Sequence, residues 1–153
     1  MTTGIHIQEA LLIETITELQ HGGPPRTEHV ALWLAKRTDP QITVRELFVP
    51  EQEAAAGYFH IPRLAMGHLM VYLRERGLMI AAQLHTHPQD AFHSPADDRW
   101  AIVRHVGALS IVLPAFGLTT TPKNFRAEAK FFMLDRSNHW MEVGPDNHLE
   151  IAP

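Results

Sequence analysis

Three short, almost wholly apolar runs most constrain what this chain can fold into: Val30–Ala35, Leu78–Leu84 and Ala108–Leu113. Each has the length of a strand, and none shows the polar alternation of a strand with one wet face, so each suits a buried position in a sheet. Helical patterns separate them. Between Ile7 and Gln20, the residues Ile7, Leu11, Leu12, Ile16 and Leu19 fall near helical spacing, and His21-Gly22-Gly23-Pro24-Pro25 ends that segment. Pro62 suits the first position of a second helix with Leu64, Leu69, Tyr72 and Leu73 on its buried face and Gly77 as its stop. Ser94-Pro95 reads as an N-cap followed by proline, opening a third helix that ends near Gly107. A second strand over Ile42–Val49 follows the turn-like Lys36–Pro40. Ala129–Leu134 and Trp140–Val143 form a hairpin about Asp135–Asn138. The order α-β-β-α-β-α-β-β-β predicts an α/β fold, a single-domain mixed β-sheet flanked by helices.

At 153 residues the chain suits one domain, 1–153, with an N-terminal helix inside 1–22 ahead of a core over 28–143. It contains no cysteine, which removes disulfides, thiolate ligands and a thiol nucleophile, and permits the cytoplasm, the expected location. A net charge of −4 without a basic cluster argues against nucleic acid as a partner. No apolar run approaches the roughly 20 residues of a membrane span, and Met1–His6 lacks the basic and apolar regions of a signal peptide. The compositional oddity is histidine, 11 in all, which prompts a search for metal-ligand spacing.

That search ends on Leu84-His85-Thr86-His87-Pro88, followed by Ser94-Pro95-Ala96-Asp97-Asp98. In extended chain, residues i and i+2 share a face, so His85 and His87 project together from the end of an apolar strand. The loop then returns the chain to a helix whose first turn carries Asp97. Two imidazoles and a carboxylate suit one zinc ion per chain and leave the fourth tetrahedral position for water. Glu28, just before the first apolar run, is the candidate general base, a role worth about 10²–10⁴ in rate. Glu46, Glu51 and Glu53 are its competitors, but they fall within or after the second strand. The hydroxyl of Ser94 is placed to donate to an oxyanion. The same Ser94–Asp97 stretch also has a purely structural reading as a helix cap. Asp98 orients a ligand histidine or caps the helix, while Asp90 and His93 read as exposed loop residues. His29, His60, His68, His105, His139 and His148 show no ligand spacing, and Trp33, Trp100 and Trp140 read as core.

The pattern His85-x-His87-Pro88 … Ser94-x-x-Asp97, with Glu28 opening an upstream apolar strand, resembles the JAMM (JAB/MPN) zinc metalloproteases. The resemblance runs from about Glu28 to Val143 and takes in Leu109–Pro114 and the hairpin carrying Trp140. It implies a cytidine-deaminase-like architecture and a zinc isopeptidase or peptidase, resembling small bacterial deubiquitinase-like members. Its substrate would be a ubiquitin-like protein or its conjugates, in deconjugation or precursor processing. Activating and conjugating enzymes encoded in the same operon, including antiphage defence systems, would be its partners. Two departures stand out. Nine residues separate His87 from Asp97, about one fewer than the family's usual loop, and Ala31 stands where many members have glycine. Asp98 would restore the usual spacing but breaks Ser-x-x-Asp, so Asp97 is preferred as the third ligand. The alternatives are a non-catalytic JAB/MPN scaffold, which predicts lost ligands, and a zinc hydrolase of small-molecule amides. The cysteine-ligated deaminases are excluded for want of cysteine.

Overall fold

In the computed structural model, which describes residues 4–21, 26–55, 58–95, 97 and 101–153, the three apolar runs become neighbouring strands. The strands are β1 (Ile5–Gln8), β2 (Val30–Lys36), β3 (Val44–Phe48), β4 (Glu53–Ala55), β5 (Tyr58–His60), β6 (Leu78–Thr86), β7 (Leu109–Leu113), β8 (Lys130–Leu134), β9 (Trp140–Val143) and β10 (Leu149–Ala152). Besides helices α1 (Glu9–Leu19) and α2 (Arg63–Arg76), there is a 3-10 turn at Ala115–Gly117 and one helical turn at Phe125–Glu128. A six-stranded mixed sheet runs in the order β3-β2-β6-β7-β8-β9. Its β6–β7 pair is parallel and its other pairs antiparallel.

Side-chain alternation explains why the sheet is covered twice. Along β2, Ala31, Trp33 and Ala35 face the layer of α1, where they meet Leu12, Ile16 and Leu19. Leu32 and Leu34 face the layer of α2, with Leu69 and Leu73. Phe125 and Phe131 fill the first layer beside Trp33. A β-bulge interrupts β6: Ala82 pairs with Trp33 and Ile80 with Leu34, which leaves Ala81 as an extra residue. Ile80 therefore faces α2 while Ala82 and Leu84 face α1, although all three share one parity.

Several expectations require correction. The first helix starts at Glu9, because Ile7 lies in β1, where buried Ile5 and Ile7 alternate with more exposed His6 and Gln8. That strand pairs in parallel with β10, which has no counterpart in the sequence reading. The second strand is shorter than Ile42–Val49, and the β4–β5 hairpin is new. The strand expected over Leu78–Leu84 continues through His85 to Thr86. The third helix does not reach Gly107. Residues 95 and 97 are helical and 101–107 are not, while Ala96, Asp98 and Trp100 lie outside the described residues. The backbone of 102–103 turns instead to β6, with the Ile102 and Val103 N–H groups donating to Gln83 Oε1. Trp33 is core and Trp140 is partly buried on the α2 side. Helix α2 ends as expected on Gly77, whose φ of +64° is the left-handed conformation of a helix stop. Among the described residues, no helix is long and apolar enough to cross a membrane.

Candidate metal centre

The bulge decides where the histidines point. Because Ala81 shifts the phase of β6, His85 stands on the α2 side of the sheet, opposite Val30 of β2. His87 follows two residues later on the same face. Continuing the antiparallel register past Val30 sets Glu28 across from His87, and Glu28 Oε1 lies 4.0 Å from His87 Nε2. This end of the β2–β6 pair is pinned by Thr86, whose side chain points away from both histidines. Its Oγ1 accepts the His29 N–H at 3.1 Å, and its own N–H donates to the His29 carbonyl. Gln52 closes the other side, accepting the Val30 N–H and donating to the Val30 carbonyl.

Asp97 comes from the helix start. The Asp97 N–H donates to Ser94 Oγ at 3.0 Å, and the Ser94 N–H donates to Asp97 Oδ2 at 2.8 Å, a reciprocal cap. The structural reading of Ser94 is thus realised, and the same cap fixes the Asp97 carboxylate. Asp97 Oδ2 lies 3.1 Å from His85 Nε2 and 3.0 Å from His87 Nε2. All three side chains are buried, and one ligand atom from each falls within 4.8 Å of the others. Four ligands held tetrahedrally at about 2.0–2.1 Å from zinc stand about 3.3 Å apart, so the Asp97–imidazole separations are close to those of such a site. The five residues singled out in the sequence therefore meet: three form the cluster, Glu28 adjoins His87, and Ser94 caps Asp97.

Electrostatics matches this arrangement. Burial pushes the Glu28 carboxyl up to about 7; the His87 imidazole opposes this and the Asp97 charge adds to it. Burial also favours the neutral form of Asp97. Hydrogen bonds from His85 and His87, the electrostatic influence of His85 and the Ser94 N–H outweigh that effect and hold its pKa well below the carboxylate range. Burial lowers the His85 pKa, which favours the neutral imidazole a cation needs. Glu28 Oε2 is buried without a hydrogen-bond partner among the described residues, a costly arrangement that calls for a proton, a solvent molecule or a cation nearby. A cleft of about 390 Å³ opens here, lined by Glu28, His87, Asp90, Phe92 and Ser94 among others.

Some contributors escaped the sequence reading. His93 is only partly exposed. It packs against Phe132 and Trp140 with its ring tilted to both, centroids at 5.3 and 5.0 Å, and meets the His85 ring edge-on. Gln83 carried a visible signal, a polar residue inside an apolar run; it donates to Ser110 Oγ and accepts from the backbone of 102–103. Gln52 carried none, since its partner Val30 is 22 residues away.

A mixed α/β domain with a buried His-His-Asp cluster beside a second carboxylate is a metal-dependent hydrolase. The chain belongs to the family of the probable metalloprotease y4jG of Sinorhizobium fredii (strain NBRC 101917 / NGR234). It is 33% identical to that protein over 129 residues, which cover 82% of this chain and 78% of the relative. No family model matches the chain. Its fold is similar to the solution structure of protein DSY2949 from Desulfitobacterium hafniense, with a TM-score of 0.66 at 15% identity over 97% of this chain and 92% of that one. At that identity the likeness concerns the fold alone.

Proposed function

We propose that the chain is a JAMM-type zinc metallopeptidase that hydrolyses the peptide or isopeptide bond following the C-terminus of a ubiquitin-like protein. The observation that carries this reading is the meeting of His85 Nε2, His87 Nε2 and Asp97 Oδ2 beside the Glu28 carboxyl. His85, His87 and Asp97 would hold the zinc ion. When bound, it supplies Lewis acidity, polarising a carbonyl and acidifying water.

The chain's own groups would do the rest. Glu28 Oε2 takes a proton from the attacking water and returns it to the leaving amine. A carboxyl held near neutrality by burial suits both directions of transfer. Ser94 Oγ already accepts the Asp97 N–H, which leaves its hydroxyl proton for a developing oxyanion at the cleft wall. The substrate segment would be an extended tail. The y4jG protein bears the name of a probable metalloprotease, which supports peptide bonds as substrates. Activating and conjugating enzymes of a ubiquitin-like system would be the protein's partners in a cytoplasmic setting. A non-catalytic scaffold is disfavoured, because all of the ligating residue types are in place.

The test is to incubate the protein with a ubiquitin-like protein encoded beside it, fused at its C-terminus to a reporter. Release of the reporter that stops with a chelator and in Glu28→Gln is expected. Release that survives both would overturn the proposal, as would a purified protein with no zinc and no ability to bind it.

A further inference from the structure

The ligand His87 is held through its backbone as well as by its place just after β6. Its N–H donates to the Leu113 carbonyl, at the end of β7, at 2.9 Å, and its carbonyl accepts the Phe116 N–H at 2.8 Å. Two residues on, the Gln89 carbonyl accepts the Ala115 N–H at 2.9 Å. Pro88, between them, has no N–H to offer. The 3-10 turn at Ala115–Gly117 thus grips the segment that lines the cleft from His87 to Asp90.

That grip is made in an unfavourable backbone conformation. Ala115, Phe116 and Gly117 have φ of +51°, +54° and +73°, three successive residues in the left-handed region. Glycine takes that region freely, whereas alanine and phenylalanine bring Cβ too close to the following carbonyl oxygen. Two such residues side by side persist only where their surroundings hold them. Part of the hold comes from Gln20, at the end of α1, whose Nε2 donates to the Gly117 carbonyl at 2.8 Å from 97 residues away in sequence. The same carbonyl accepts the Thr120 N–H at 3.2 Å. The turn is also seated closely: a Cβ on Gly117 would stand 3.6 Å from a methyl of Thr86 and of Leu113, and 3.7 Å from Gln20 Cγ.

We infer that Gln20 is a positioning residue for the metal centre. By tying α1 to the strained turn, it keeps the Ala115 and Phe116 N–H groups on the 87–89 segment and so fixes the backbone of His87. The inference rests on the metal-binding part of the proposed function and is independent of the substrate.

The test compares the parent with Gln20→Leu, and with Gln20→Leu combined with Ala115→Gly. Gln20 is half-buried and the Gly117 carbonyl keeps its Thr120 partner, so Gln20→Leu should fold. Amide hydrogen exchange of the metal-free proteins reads the grip directly. In Gln20→Leu, Ala115 and Phe116 should exchange about three- to tenfold faster, the effect of one lost hydrogen bond, while Ile111 and Val112 of β7 exchange as in the parent. Zinc affinity should fall by about tenfold, the low end for loss of a group that orients a ligand. The visible spectrum of the cobalt-substituted protein should shift, because it reports ligand geometry; a loss of stability alone would not move it. Ala115→Gly places a residue at ease with φ of +51°, so the double variant should regain part of both losses. Unchanged exchange at Ala115 and Phe116, equal acceleration across β7 and the turn, or a double variant no better than Gln20→Leu would overturn the inference. A parent that binds no zinc would overturn the metal reading and this inference together. A parent that binds zinc, beside a Gln20→Leu that binds it equally with an unshifted cobalt spectrum, would overturn the inference alone.

Discussion

Replacing Glu28 by glutamine should separate the stability of the metal-free protein from its catalysis. Glu28 is 2% exposed, and its carboxyl is held at about 7 against an ordinary value of 4.5. At about 1.4 kcal/mol for each unit, that displacement is a handicap of at most about 3.5 kcal/mol for the ionised folded state. The sign follows from proton linkage. Between pH 4.5 and about 7 the folded state holds the proton that the unfolded state has released, so stability falls as pH rises. Below that window the handicap is absent, and above it the handicap is complete. E28Q, which cannot ionise, should therefore match the parent at pH 4 and exceed it at pH 8. Asp97 titrates in both proteins, so its own acid-side loss drops out of the comparison. For a domain near 150 residues, about 2–4 °C accompanies each kcal/mol, so the gain at pH 8 should approach about 7–14 °C. Thermal melts of chelator-treated protein at the two pH values test this. A melting difference that is equal at both pH values, or a less stable E28Q at pH 8, would refute the reasoning.

Removing an imidazole by His85→Ala or His87→Ala should abolish stoichiometric metal uptake, measured by elemental analysis of protein dialysed against zinc, while the sheet persists by circular dichroism. Ser94→Ala breaks the reciprocal cap and should cost about 1 kcal/mol in denaturant melts. It should also lower peptidase turnover by more than that loss explains. Gln83→Leu leaves the Ser110 hydroxyl and two backbone N–H groups of 102–103 without their partner. A destabilisation of about 1–3 kcal/mol is expected by chemical denaturation.

The parts of this fold that could be read from the chain are those with local causes. β2, β6 and β7 announce themselves as apolar runs, and Gly77 ends α2 through a backbone conformation glycine tolerates best. The ligand pair was legible because the i, i+2 rule needs no tertiary information, and Ser94 to Asp97 because a cap is a four-residue event. The rest depends on distant partners. β1 is four residues long and pairs Ile5 with Leu149, from opposite ends of the chain. With Ile7 also fitting a helical stripe, nothing local distinguished it from the start of α1. Residues 101–107 follow a good helix start but leave the helix for Gln83, a partner about 20 residues upstream. Glu28 was separable from Glu46, Glu51 and Glu53 by its place at a strand's entry, yet its 4.0 Å approach to His87 comes from the β2–β6 register.

The unpaired Ala81 has a consequence for how such a centre persists through evolution. Relative to Leu78 and Ile80, it is an odd insertion that swaps the destinations of every later side chain in β6. Deleting it would preserve each ligand and the order of the motif, yet turn both imidazoles toward Trp33 and the packed interior beneath α1. Metal chemistry here is written in strand phase as much as in residue identity. A related chain bearing the same letters without that single offset would carry the motif and lack the centre.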